Sequence, residues 1–116
     1  KVVGYFSIAG ASVDPSEATE RAAKGQGNQP IPAILLGRLA VDRSAQAEGL
    51  GEGLLIEALR KALSAAGIIG ARVVLAHALD DRARSFYLRY GFEPSPCHEL
   101  HVMMLMKDIR KTYGVT

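Results

Sequence analysis

The chain has 116 residues, 48% of them hydrophobic and 22% charged, with a net charge of +2 and a single cysteine. That length suits one domain, and the apolar content excludes a disordered chain. No apolar run approaches the roughly 20 residues that span a bilayer, no secretory signal opens the sequence, and Cys97 alone excludes an internal disulfide.

A cytoplasmic protein of a reducing compartment is therefore expected. The small positive charge permits an anionic partner without demanding one.

Lys1–Val13 reads as a strand, because Val3, Tyr5 and Ser7 alternate with their neighbours at period two. The chain opens directly inside this apolar run, so a single domain over residues 1–116 that is truncated at its N-terminus is expected. Asp14–Gln29 is polar, contains Pro15, Gly25 and Gly27, and reads as a connection with a short helical turn over Ser16–Lys24. Pro30 and Pro32 introduce a second strand, Ile34–Val41, apolar enough for burial on both faces.

The clearest helix follows Gly51. Leu54, Leu55, Ala58, Leu59, Ala62 and Leu63 fall at helical spacing, with Glu52, Glu57, Arg60 and Lys61 mostly opposite, and Gly67 is the expected stop. Ala71–Ala78 reads as a third strand. Asp80–Tyr90 reads as a second helix, with Asp80 or Asp81 as N-cap and Gly91 as its end; Phe86 and Tyr90 share a face. Pro94 and Pro96 mark a loop, and His101–Ile109 is expected to be the last strand. Strand, helix, strand, helix, strand predicts an α/β (α+β) layered domain.

The segment Gln46-Ala47-Glu48-Gly49-Leu50-Gly51 lies between a strand and a helix. Glycines allow a sharp turn and a close ligand approach, and free amides at a helix N-terminus favour an anion such as pyrophosphate. A tight turn that binds nothing explains the same residues. The spacing is not the dinucleotide fingerprint, and no Gly-Lys-Ser/Thr follows as in an NTPase phosphate loop.

Arg38-Leu39-Ala40-Val41-Asp42 followed by Gln46-x-x-Gly49-x-Gly51 resembles the central strand and Gln/Arg-x-x-Gly-x-Gly/Ala loop of the GNAT acetyltransferases. Ser85-Phe86-Tyr87-Leu88-Arg89-Tyr90-Gly91-Phe92 is similar to that family's Phe-Tyr-x-x-x-Gly-Phe helix end, and the two signatures stand in the family's order. The run Pro32–Arg43 and the ending Gly91-Phe92-Glu93-Pro94-Ser95-Pro96 look like the GNAT toxins of toxin–antitoxin pairs.

The resemblance implies a mixed, centrally splayed β-sheet with flanking helices, here without the first strand and the paired helices that usually wall the acceptor groove. It implies acetyl-CoA as cosubstrate and no metal. It assigns Leu39, Ala40 and Val41 to the pantetheine arm, received like an added strand, with backbone amides suited to an oxyanion. It assigns Gln46, Ala47, Glu48, Gly49, Leu50, Gly51 and Glu52 to the pyrophosphate. Tyr87 matches the family's catalytic tyrosine, a phenol able to protonate the departing CoA thiolate; on spacing alone it reads rather as a half-buried core aromatic beside Phe86. Ala47, Glu48 and Glu52 depart from the family pattern, and the two carboxylates predict weaker cofactor binding unless they point away.

No residue identifies itself as the general base, and an α-amine near pKa 8 can be served by water. Asp42, Glu48 and His77 are the candidates; Asp42 reads as a strand-end or capping residue and His77 as a packed or hydrogen-bonded histidine. His98 and His101 flank Glu99 without further metal ligands and read as surface or strand residues. Cys97 reads as a plain thiol, and Met103, Met104 and Met106 as core. Arg82, Arg84 and Arg89 surround the Tyr87 helix and would suit phosphate contacts, although such clusters are often solvated faces.

The resemblance thus points to acetylation of the α-amine of aminoacyl-tRNA, with a ribbon-helix-helix antitoxin as partner and a homodimer allowed. A GNAT enzyme for a small-molecule or protein amine, or an inactive binding or dimerisation module, fits the same residues.

Overall fold

A computed structural model of the protein describes residues 4–37, 40–41 and 50–114. Its strands are β1 (Gly4–Tyr5), β2 (Ile8–Val13), β3 (Ile31–Leu36), β4 (Ala40–Val41), β5 (Val73–His77), β6 (Glu93–Pro94) and β7 (His101–Leu105). Its helices are α1 (Glu20–Ala23), α2 (Leu50–Ile69), α3 (Asp81–Arg89) and α4 (Met106–Tyr113), with a 3₁₀ turn over Pro15–Glu17.

The main sheet has five strands in the order β2-β3-β5-β7-β6. Only β3 and β5 run parallel, joined by the α2 crossover; the other pairs are antiparallel. The expected first strand is interrupted at Phe6–Ser7, and the second at Gly37, whose N–H donates to the Ser7 carbonyl at 3.0 Å. Beyond that break β1 and β4 pair with each other as a separate ribbon, Gly4 opposite Val41 and Tyr5 opposite Ala40.

Alternation along β5 sorts the core into two layers. Val74 and Ala76 face Leu55, Ala58, Leu59, Ala62, Tyr87, Phe92 and Ile109, the layer under α2, α3 and α4. Val73 and Leu75 face Val13, Ala18, Ala22, Met103 and Leu105, the layer under the 3₁₀ turn and α1. The stripe expected on α2 is the one buried, with Glu52, Glu57, Arg60 and Lys61 exposed. Met103, Met104 and Met106 are all buried in the core.

Three boundaries differ from the sequence reading. β3 begins at Ile31 and includes Pro32, whose missing N–H is tolerated while its carbonyl accepts from Arg72 N at 2.8 Å. Helix α2 runs through Gly67 to Ile69; the left-handed residue that ends it is Gly70, at φ +71. The last strand stops at Leu105, and Met106–Tyr113 is a helix. Met106 and Ile109 are buried with Tyr113 packed beside them, a helical spacing that the methionine-rich run before it obscures.

Candidate functional site

Helix α3 is fixed at both ends by its own sequence. The Asp80 carboxylate accepts from Ala83 N at 2.9 Å, satisfying a first-turn amide, and Gly91 leaves the helix at φ +103. Between them Tyr87 points into the core at 6% exposure, its ring centroid 5.6 Å from Phe86 and 5.1 Å from Phe92. Phe86 and Tyr90 share a face as expected, 5.1 Å apart.

Burial pushes the Tyr87 phenol above its ordinary pKa. At neutral pH it therefore keeps its proton, the state an acid must start from. Giving that proton to a thiolate is uphill in water by ~2 kcal/mol or more, so the transfer works only where the thiolate's charge develops beside the ring.

The sheet supplies the second feature. β3 and β5 stay in parallel register from Ala33 opposite Val73 to Leu36 opposite Ala76, and there the pairing ends. Past Gly37 the chain continues as β4, paired on one side with β1 and with no β5 partner among the described residues. A strand edge freed in this way presents N–H and C=O groups that an extended, amide-bearing ligand can pair with. Ala40 and Val41 lie on this edge. Gly51 and Glu52 lie in the first turn of α2, after Leu50, with Glu52 exposed. Leu39, Gln46, Ala47, Glu48 and Gly49, with Arg38, Asp42 and Arg43, lie outside the described residues.

The basic residues separate by environment. Arg72 is committed to structure, donating to the carbonyls of Ala22 at 2.7 Å, Lys24 at 3.1 Å and Arg21 at 3.3 Å. Arg60 donates to the Tyr113 carbonyl at 3.3 Å. On α3, Arg82 and Arg89 are exposed, whereas the Nε of Arg84 is buried without a hydrogen-bond partner among the described residues.

The histidines also form a group that sequence reading took one by one. His77 and His101 are register partners in β5 and β7, and their rings stack at 3.9 Å and 10°. His98 lies 4.5 Å from His101, with its Nε2 3.1 Å from Glu17 Oε1. His77 is exposed, packed through its ring against His101. Burial, then the neighbouring His77 and His98, hold His101 below the ordinary imidazole pKa, against a small opposing pull from Glu17. Among the described residues no histidine, cysteine and carboxylate side chains gather as a metal site requires. The exposed Cys97 thiol donates to the Ser16 carbonyl at 3.1 Å. Alternation puts residues 73, 75 and 77 on one face of β5, and only the β7 register turns that parity into a contact with His101.

A buried tyrosine at a Phe-Tyr helix end, opposite a parallel pair that splits beside a long crossover helix, is the arrangement of an acetyltransferase. The family profile described as the acetyltransferase (GNAT) domain matches residues 2–94, and the chain belongs to that family. It is 46% identical to the tRNA-acetylating toxin of Mycobacterium tuberculosis (strain ATCC 25618 / H37Rv) over 98% of this chain and 68% of that protein.

Among solved structures, AtaT complexed with acetyl-methionyl-tRNAfMet superposes with a TM-score of 0.85 at 29% identity, over 95% of this chain and 66% of that one. A tyrosine-to-phenylalanine mutant of AtaT, bound to the C-terminus of the antitoxin AtaR and acetyl-CoA, gives a TM-score of 0.77 at 32% identity, over 98% of this chain and 67% of that one. The chain thus spans about two thirds of the length of these relatives. Among the described residues no helix is long and apolar enough to cross a membrane.

Proposed function

We propose that this protein transfers the acetyl group of acetyl-CoA to the α-amine of aminoacyl-tRNA and thereby blocks translation, as the toxin of a toxin–antitoxin pair. The observation that carries the reading is the 46% identity to a tRNA-acetylating toxin along nearly the whole chain. It is supported by the site itself: the edge of β4 past the β3–β5 split and a protonated Tyr87 on the buried face of α3.

In this reading acetyl-CoA supplies an activated thioester. The chain's own residues orient it. Backbone groups of Leu39, Ala40 and Val41 hold the pantetheine amides, and the segment Gln46–Glu52 at the start of α2 holds the pyrophosphate. Tyr87 keeps its proton until the thiolate leaves and then donates it. The exposed carboxylate of Glu52 opposes the phosphates and weakens cofactor affinity. A ribbon-helix-helix antitoxin is the expected protein partner, and the cytoplasm, where charged tRNA resides, the expected location.

The test is transfer from radiolabelled acetyl-CoA to a pool of charged tRNA. Label should enter the tRNA fraction and be released by mild base as N-acetyl-amino acid. Label found only on small amines or on protein would overturn the tRNA assignment.

A further inference from the structure

We propose that His77 is the proton acceptor for the incoming amine. The inference rests on the acetyl-transfer reading above and assigns the half of the reaction that Tyr87 leaves open.

The first observation is where His77 stands along β5. Parallel pairing with β3 ends at Leu36 opposite Ala76, so His77 is the first β5 residue past the split, at its mouth. The second is the face it occupies. Val74 and Ala76 turn toward the helix layer that contains Tyr87; His77, at the alternate parity with Val73 and Leu75, stands on the opposite face. An acid on one side of the split and a base on the other can act on one acyl carbon without neutralising each other. Leu79, two residues further along, is 90% exposed on the same short segment between β5 and α3, so the mouth is open to a large acceptor.

The third observation is how the ring is held. His77 lies flat against His101 at 3.9 Å, which fixes its plane while its outer face stays open to solvent. The titratable group packed on it is His101 from β7; His98, from the loop before β7, lies against His101 in turn, and Glu17 of the 3₁₀ turn against His98. Glu17 is engaged with His98, and the nearby Asp80 is spent on capping α3. His101 is biased toward its neutral form, so a proton arriving on His77 meets a neutral aromatic face instead of a second positive charge.

The step balances as follows. The amine nitrogen attacks the thioester carbonyl carbon, the C–N bond forms and the C–S bond breaks. One proton leaves the nitrogen for the His77 imidazole, and the thiolate takes one from Tyr87. Solvent then returns His77 to the neutral form and reprotonates Tyr87.

The experiment compares the wild type with His77→Gln and His77→Ala, using both charged tRNA and a small amino-acid ester as acceptors. His77→Gln should lower kcat at neutral pH by on the order of a hundredfold, leave the calorimetric affinity for CoA unchanged, and alter the acid limb of the kcat–pH profile. Added imidazole should partly restore His77→Ala. Independently of turnover, the His77 imidazole resonances should shift when acetyl-CoA and a non-reacting acceptor analogue are added. An unchanged pH profile in His77→Gln, no imidazole rescue, or resonances that stay in place would each overturn the proposal. Wild-type activity with the ester alone would remove the tRNA assignment while still testing His77.

Discussion

Arg21 on α1 and Asp108 on α4 meet as a two-pronged ion pair, Nη1 to Oδ2 at 2.8 Å and Nη2 to Oδ1 at 2.9 Å. Glu93 of β6 contacts the same guanidinium. One side chain thus ties the layer under α1 to β6 and to the C-terminal helix, across 87 residues of sequence.

Hydrogen bonding to Arg21 holds the Asp108 carboxyl below its usual pKa. A carboxylate with a depressed folded-state pKa stabilises the fold above its unfolded value, near 3.9, and loses that contribution as pH falls through the folded value. Asp108→Asn should therefore lower the melting temperature at pH 7, and the gap to wild type should close as the pH falls through the lowered carboxyl pKa. The pair is partly exposed, so the effect should be modest and should shrink in high salt. Equal melting temperatures at pH 7 would show that the pair contributes nothing.

Tyr87→Phe removes one hydroxyl and leaves the ring between Phe86 and Phe92. Turnover should drop by roughly a hundredfold, with CoA affinity intact and stability within about 1 kcal/mol of wild type. Steady-state kinetics beside a urea titration separates these effects. Full turnover in the variant would take Tyr87 out of the reaction.

Gly91→Ala places a Cβ at φ +103, where an L-residue is strained, and brings it to 3.1 Å from the Met104 methyl. The methionine end can yield, so the backbone sets the cost, about 1–3 kcal/mol. Because Gly91 closes the helix that carries Tyr87, kcat should fall along with the urea midpoint. A variant as stable as wild type would mean that the turn relaxes without loss.

His101 provides a second pH window, above that of Asp108. Its folded-state pKa lies below the unfolded value near 6.5, so the unfolded chain binds more protons between the two. Stability should accordingly decline as pH falls below about 6.5, and His101→Gln should flatten that slope. Urea midpoints at pH 7.5 and 5.5 in both proteins decide it; parallel declines would assign the slope to other groups.

Much of this site was legible in the residues because its signals are local. Asp80 as N-cap, Gly91 as helix end and the Phe86–Tyr90 face are set by hydrogen bonds and spacings within one helix, and the structure has all three. The apolar stripe of α2 was equally plain. The boundaries that differ are those where a distant partner decides. Gly67 is a permissible helix residue once Ala62 and Ala66 are buried beside it, and the chain after Leu105 turns into a helix because Met106 and Ile109 find a core waiting.

By itself, then, the sequence determined the family, the helices α2 and α3 with the strands before them, and Tyr87 as the residue to examine, since each follows from short-range pattern. Only the tertiary structure decided where β3 and β5 part, that Tyr87 and His77 stand on opposite faces of that split, and that His77 and His98 both gather against His101. Those relations depend on strand register, a property of pairs of segments far apart in the chain, which no single segment encodes.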